Sequence, residues 1–139
     1  MKALSFRQPL ADAVVAGLKT VDFRFRPTRH RGPLAIHASG TYGPAERARL
    51  AALRRRRLPL AEPVPERLGA IIGVVEITGC RPAAAADRKR SLADLPEEGA
   101  WAYELAGARA LPAPVPCRGH TYMFEVDGEA LRELPEAAG

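Results

Sequence analysis

Lys19, Thr20, Asp22, Arg24 and Arg26 crowd into one short stretch, Gly17-Leu18-Lys19-Thr20-Val21-Asp22-Phe23-Arg24-Phe25-Arg26. In a cleft, Lys19 could hold a phosphate as a point charge, or act as a base if burial lowers its pKa. Asp22 and Arg24 stand two residues apart, close enough to interact on a strand. They can form an ion pair that holds a cleft wall. Alternatively, Asp22 accepts bonds from a ligand's amide edge while Arg24 meets phosphate. Arg7 and Gln8 precede this stretch. Gln8 carries both donor and acceptor and could read a base edge or tie loops together. Arg26, Arg29 and Arg31 form a basic rim that would steer a phosphate backbone. His37 and Ser39 alternate on one strand face and could line the same cleft, although a lone strand histidine also serves as a hydrogen-bonded structural residue. Trp101 and Tyr103 could stack a base, with core packing the stronger role for Trp101. No Ser-His-Asp order, phosphate-cradling glycine loop or paired-carboxylate spacing emerges, so the residues read as a binding site more clearly than as a catalyst. No cofactor is expected.

These side chains need elements to position them. Side chains of a strand alternate between faces. A strand over 20–26 therefore puts Thr20, Asp22, Arg24 and Arg26 on one face, and sends Val21, Phe23 and Phe25 toward a core. Lys2–Phe6 reads as a first strand. Pro9 suits the first turn of a short helix, and Gly17 is placed to end it in a left-handed turn. Pro27 closes the motif strand. Residues 33–39 form another strand, and a basic helix follows over about 45–57, with Leu50 and Leu53 inward and Arg54–Arg57 at its end. Residues 58–68, with Pro59, Pro63 and Pro65, read as an extended loop. Residues 69–80 give the strongest strand, where Gly73 suggests a bulge. Residues 81–99 read as a connection with a short turn at Leu92–Leu95. Trp101–Leu105 and Tyr122–Val126 read as strands. Residues 111–117 are too proline-rich for a central strand and should form an edge or cover. Gly128–Leu134 reads as a terminal helical turn.

The order begins β-α-β-β rather than repeating βαβ units, which argues against a doubly wound parallel sheet. At 139 residues, 47% of them hydrophobic and 27% charged, the chain fits one globular domain over 1–139. The net charge of +5 divides unevenly: residues 1–57 hold 13 Lys/Arg against 3 Asp/Glu, and residues 58–139 hold 8 against 13. Positive potential thus gathers in the N-terminal part and favours phosphate-bearing partners. No run approaches the roughly 20 apolar residues that span a bilayer. The first residues lack a signal peptide's apolar segment, so a cytoplasmic protein without a membrane association is expected. Cys80 and Cys117 are expected free and partly buried. His30, His37 and His120 are scattered, so no structural metal is expected.

Three ordered segments carry a resemblance: Ser5-Phe6-Arg7-Gln8-Pro9, Gly17-Leu18-Lys19-Thr20-Val21-Asp22-Phe23-Arg24, and Arg31 to Ser39 through Gly-Pro-Leu-Ala-Ile-His-Ala. Together with Gly73-Val74-Val75-Glu76, Trp101-Ala102-Tyr103-Glu104 and Pro114 to Gly119, the set resembles the ASCH (activating signal cointegrator homology) domain, a branch of the PUA-like β-barrels. The resemblance implies an α+β, β-rich fold. It would be a small barrel of five or six mixed or antiparallel strands, with one early helix and one inserted basic helix. It implies a cleft near Lys19 that takes RNA or a nucleobase-like ligand. Some members are similar to ribonucleases, and others to small amidohydrolases acting on a modified nucleoside. A hydrolase using Lys19 with Asp22 is therefore the alternative, although the amidohydrolases have threonine where this chain has Asp22. A protein partner bound through the proline-rich 111–116 edge is a third reading.

Overall fold

The computed structural model describes residues 1–93 and 95–135. Its core is a mixed sheet in the order β2-β5-β4-β3-β1-β6. The strands are β1 (Lys2–Phe6), β2 (Val21–Arg24), β3 (Gly32–Ala38), β4 (Ala70–Pro82), β5 (Trp101–Pro116) and β6 (Phe124–Glu125). β1 and β3 are parallel, with Ser5 opposite His37, and the other pairs are antiparallel.

Helix α1 (Leu10–Val15) follows Pro9, and Gly17 at φ +77° turns the chain out of it. Val14 and Val15 pack α1 onto the sheet beside Phe6, Leu34, Ile36, Ile72, Val75 and Tyr103. Gly73 permits this docking. A Cβ there would lie 2.6 Å from a Val15 methyl and 2.7 Å from the Arg109 carbonyl. The ladder between β4 and β5 shifts register at that glycine, so the bulge is real. Helix α2 (Pro44–Arg55) starts where Glu46 accepts a 2.7 Å bond from the Gly43 N–H. It buries Leu50 and Leu53 with Leu60 and Leu92 against Ala13 of α1. Helix α4 (Gly128–Glu133) follows β6, and Ala130 and Leu134 cover Ala3, Ala35 and Val115 in a second cluster.

Three expectations change, and the edge expected of the proline-rich segment is found as part of a longer strand. The sheet does not close into a barrel, because β2 has only four residues and β6 only two. Side chains bridge the open seam instead: the Arg24 guanidinium donates a 3.0 Å bond to the Ser5 carbonyl and lies 4.9 Å from the centre of the Phe6 ring. The proline-rich segment belongs to one long strand running on from Trp101. It tolerates its prolines because β2 covers only Trp101–Glu104, leaving the far half as an edge. Of the three side chains expected to enter the core only Val21 does: Phe23 is partly buried and lines a cavity, and Phe25 is 66% exposed, since β2 ends at Arg24 and the chain leaves the sheet before it. The connection over 81–99 holds a 3-10 turn at Ala85–Asp87 and helix α3 (Arg88–Ser91). The turn expected at Leu92–Leu95 includes Asp94, which lies outside the described residues. Among the described residues, no helix is long and apolar enough to cross a membrane.

Candidate nucleic-acid interface at the open seam

At the start of β2 the charged side chains turn inward, Lys19 and Asp22 being buried, while Arg24 is partly exposed and Arg26 exposed. Lys19 is 2% exposed, and its Nζ donates to the carbonyls of Val21 at 2.8 Å and Ser91 at 2.6 Å. Asp22 Oδ1 lies 3.3 Å from the same nitrogen. An ammonium has three protons, and these partners take all of them. Burial pulls the Lys19 pKa down from its ordinary value, and the Asp22 charge pulls it back. Lys19 thus ties the start of β2 to α3. On its other oxygen, Asp22 accepts a 2.5 Å bond from Arg24 Nε. Glu104, the other carboxylate of this strand pair, is engaged 2.8 Å from Arg81.

Thr20 also serves the β2–α3 junction, its hydroxyl accepting a bond from Arg90. Gln8 is 1% exposed: its amide donates to the Arg67 carbonyl, and its oxygen accepts from the Asp12 N–H at 2.9 Å. Both of its polar ends are therefore committed to holding the 65–68 turn on α1.

Outside this buried set, a cavity of about 480 Å³ opens along the seam, between the end of β2 and residues 121–123. Phe23, Arg24, Phe25, Arg26, Tyr103 and Tyr122 line it. Tyr103 anchors the floor, its hydroxyl donating to the Arg26 carbonyl at 2.5 Å. Tyr122 is 55% exposed, and the Arg26 guanidinium stands 3.8 Å from its ring centre. Past Pro27, Arg29 is exposed on the basic turn, and Arg31 is braced against the Thr28 and His30 carbonyls. Trp101 is half-buried against the core.

Arg7, His37 and Ser39 lie apart from this cavity. They line an adjoining polar one of about 570 Å³ with Ser5, Arg118 and His120. Arg7 reaches Glu46 at 3.4 Å. Arg54–Arg57 are exposed at the end of α2, with Arg54 donating to the Leu60 carbonyl. Sequence reasoning missed Tyr122 and Arg118. The sequence places Tyr122 in a last strand, but the pairing is confined to Phe124–Glu125, and its ring lies at the seam under the Arg26 guanidinium. Among the described residues, no group of three side chains is placed to hold a metal ion.

The ASCH domain profile matches residues 4–113. Among solved structures, the chain is similar to the ASCH protein of Zymomonas mobilis at 18% identity and a TM-score of 0.59, covering 94% of this chain and 90% of that one. A tyrosine-to-phenylalanine variant of that protein gives a TM-score of 0.59 at 18% identity, covering 95% of this chain and 94% of that one. The likeness fits a PUA-like fold with its sheet left open. No curated protein matches the sequence.

Proposed function

The chain belongs to the ASCH domain family, and we propose that its open seam binds single-stranded RNA. The observation that supports this most is the pairing of exposed aromatics with arginines around one cavity of about 480 Å³. Phe25 and Tyr122 expose their rings at its mouth, Tyr122 with Arg26 stacked over one face, and Arg24 lines the same cavity. Bases stack on such rings without regard to sequence, each worth about 1–3 kcal/mol, while arginines follow the backbone. Arg29 and Arg31, carried on the turn after Pro27, extend the positive track. Lys19 and Asp22 act from below, by fixing β2 and aiming Arg24.

The hydrolase reading built on Lys19 draws support from its 3.3 Å approach to Asp22. It is the weaker reading, because a base needs a free lone pair and an electrostatic helper an open donor, and the Lys19 nitrogen is engaged by Val21, Ser91 and Asp22.

A salt titration of labelled single-stranded RNA by fluorescence anisotropy tests the binding. The logarithm of the affinity should fall against the logarithm of salt with a slope near 0.7 per phosphate contacted. Replacing Arg26 and Arg29 together by alanine should lower that slope by about 1.4. Affinity that ignores salt, or a slope unchanged by the pair of substitutions, contradicts the reading.

A further inference from the structure

The polar cavity beside the seam holds an arrangement that RNA binding does not use. Ser5 and His37 stand opposite one another where β1 and β3 run parallel. The Ser5 hydroxyl lies 2.9 Å from His37 Nδ1, and His37 Nε2 lies 2.7 Å from the Cys117 carbonyl. A carbonyl oxygen can only accept, so Nε2 carries the ring proton. Nδ1 then keeps its lone pair and points it at the serine hydroxyl. Nucleophile, base and orienting acceptor are thus in line, the geometry by which a hydroxyl is activated.

Two further features suit this role, and a third sets the side of approach. His37 is 2% exposed, and burial pulls its pKa below the ordinary 6.5, which keeps the imidazole neutral and able to take a proton. Gly119 lies directly over the pair: a Cβ there would come within 2.5 Å of the His37 ring and 2.7 Å of the Ser5 oxygen. A residue without a side chain is required there, and its backbone covers that side of the pair, which leaves the Ser5 hydroxyl to be approached from the cavity shared with Arg7 and Arg118. Arg7 and Arg118 line the same cavity and can receive an anion.

We propose that Ser5 and His37 form an acyl-transfer site that cleaves small carboxylic esters bearing an anionic group. The Ser5 oxygen bonds to the ester carbonyl carbon while its proton passes to His37 Nδ1. The C–O bond to the alcohol breaks, and the imidazolium returns that proton to the leaving oxygen. Water then attacks the acylated Ser5, giving its proton to His37. The acid leaves, and Ser5 recovers its hydrogen from His37. Cys117 holds the ring in orientation throughout. This activity is separate from RNA binding, and its readouts require no nucleic acid.

The test uses the full chain with a fluorophosphonate, 4-nitrophenyl acetate and the 4-nitrophenyl half-ester of succinic acid. Peptide mapping should find a single phosphonyl adduct on Ser5, absent from Ser5→Ala. The half-ester should be cleaved about tenfold faster than the acetate, through its attraction to Arg7 and Arg118. His37→Gln should slow cleavage at least about 100-fold, the usual range for losing a positioned base. The wild-type pH profile serves even if that variant fails to fold. The groups around the imidazole are His120, Arg7, Arg118 and the Cys117 thiol, whose own pKa burial raises. The rate should rise as His37 loses its proton and be level by about pH 7. No adduct on Ser5, cleavage unchanged in Ser5→Ala, or a rate still climbing in proportion to hydroxide at pH 9 overturns the proposal.

Discussion

Lys19→Met separates a structural lysine from one that meets ligand. The substitution keeps the length and apolar stem of the side chain but removes the charge and its donors. Two buried carbonyls, Val21 and Ser91, then lose their partner. Each acceptor left unsatisfied in the interior costs about 1–3 kcal/mol. Asp22 retains Arg24 at 2.5 Å, so it is not stranded, and methionine escapes the desolvation that the buried ammonium suffers. Weighing these, the loss should be about 3 kcal/mol. With a urea dependence of about 1.5 kcal/mol/M, typical of small domains, the unfolding midpoint falls by about 2 M. Urea melts followed by tryptophan fluorescence and circular dichroism would read it. RNA affinity of the folded variant should keep its salt slope, since the nitrogen does not reach solvent. A stability loss under about 1 kcal/mol together with a reduced salt slope would refute the reasoning, because Lys19 would then be spending its charge on phosphate.

Two further outcomes follow from packing and charge. Gly73→Ala should cost about 1–3 kcal/mol through overpacking, and Val15→Ala in the same chain should recover only part of it, since the Arg109 carbonyl stays 2.7 Å from the new methyl; melting temperatures of the double-mutant cycle check this. Asp87, held to a pKa of about 2 by its paired bonds from Arg81, is depressed from its ordinary 3.8. Its stabilising contribution is therefore complete above about pH 4 and lost as pH falls toward 2. Asp87→Asn should melt lower at neutral pH and show a flatter melting profile over that window.

Local punctuation was readable from residue types alone. Pro9 and Gly17 bracket α1, and Gly73 marks the bulge, because each position imposes a backbone or contact condition that few residues meet. The alternation over 20–26 correctly separates Asp22 and Arg24 from Val21, but it predicts nothing about where pairing stops. Phe25 reads as a core residue by period and becomes exposed because β2 ends one residue before it. The open seam has the same origin. Whether a sheet closes depends on how far its edge strands extend, and β6 pairs over only Phe124–Glu125. Lys19 shows a different limit. Its residue type suits a phosphate contact, yet its partner Ser91 comes from α3, far along the chain. The Ser5–His37 pairing is likewise fixed by parallel register, which neither segment encodes by itself.

The seam's role turns on its two exposed rings. Anisotropy titrations of single-stranded RNA should compare the wild type with a Phe25→Ala, Tyr122→Ala chain, its fold verified by circular dichroism. Both rings are more than half exposed, so their removal should leave stability nearly unchanged. The account predicts an affinity at least about tenfold weaker with the salt slope preserved, since stacking is lost while the arginines remain. Equal affinity in the two proteins would contradict it and place any RNA contact elsewhere on the molecule.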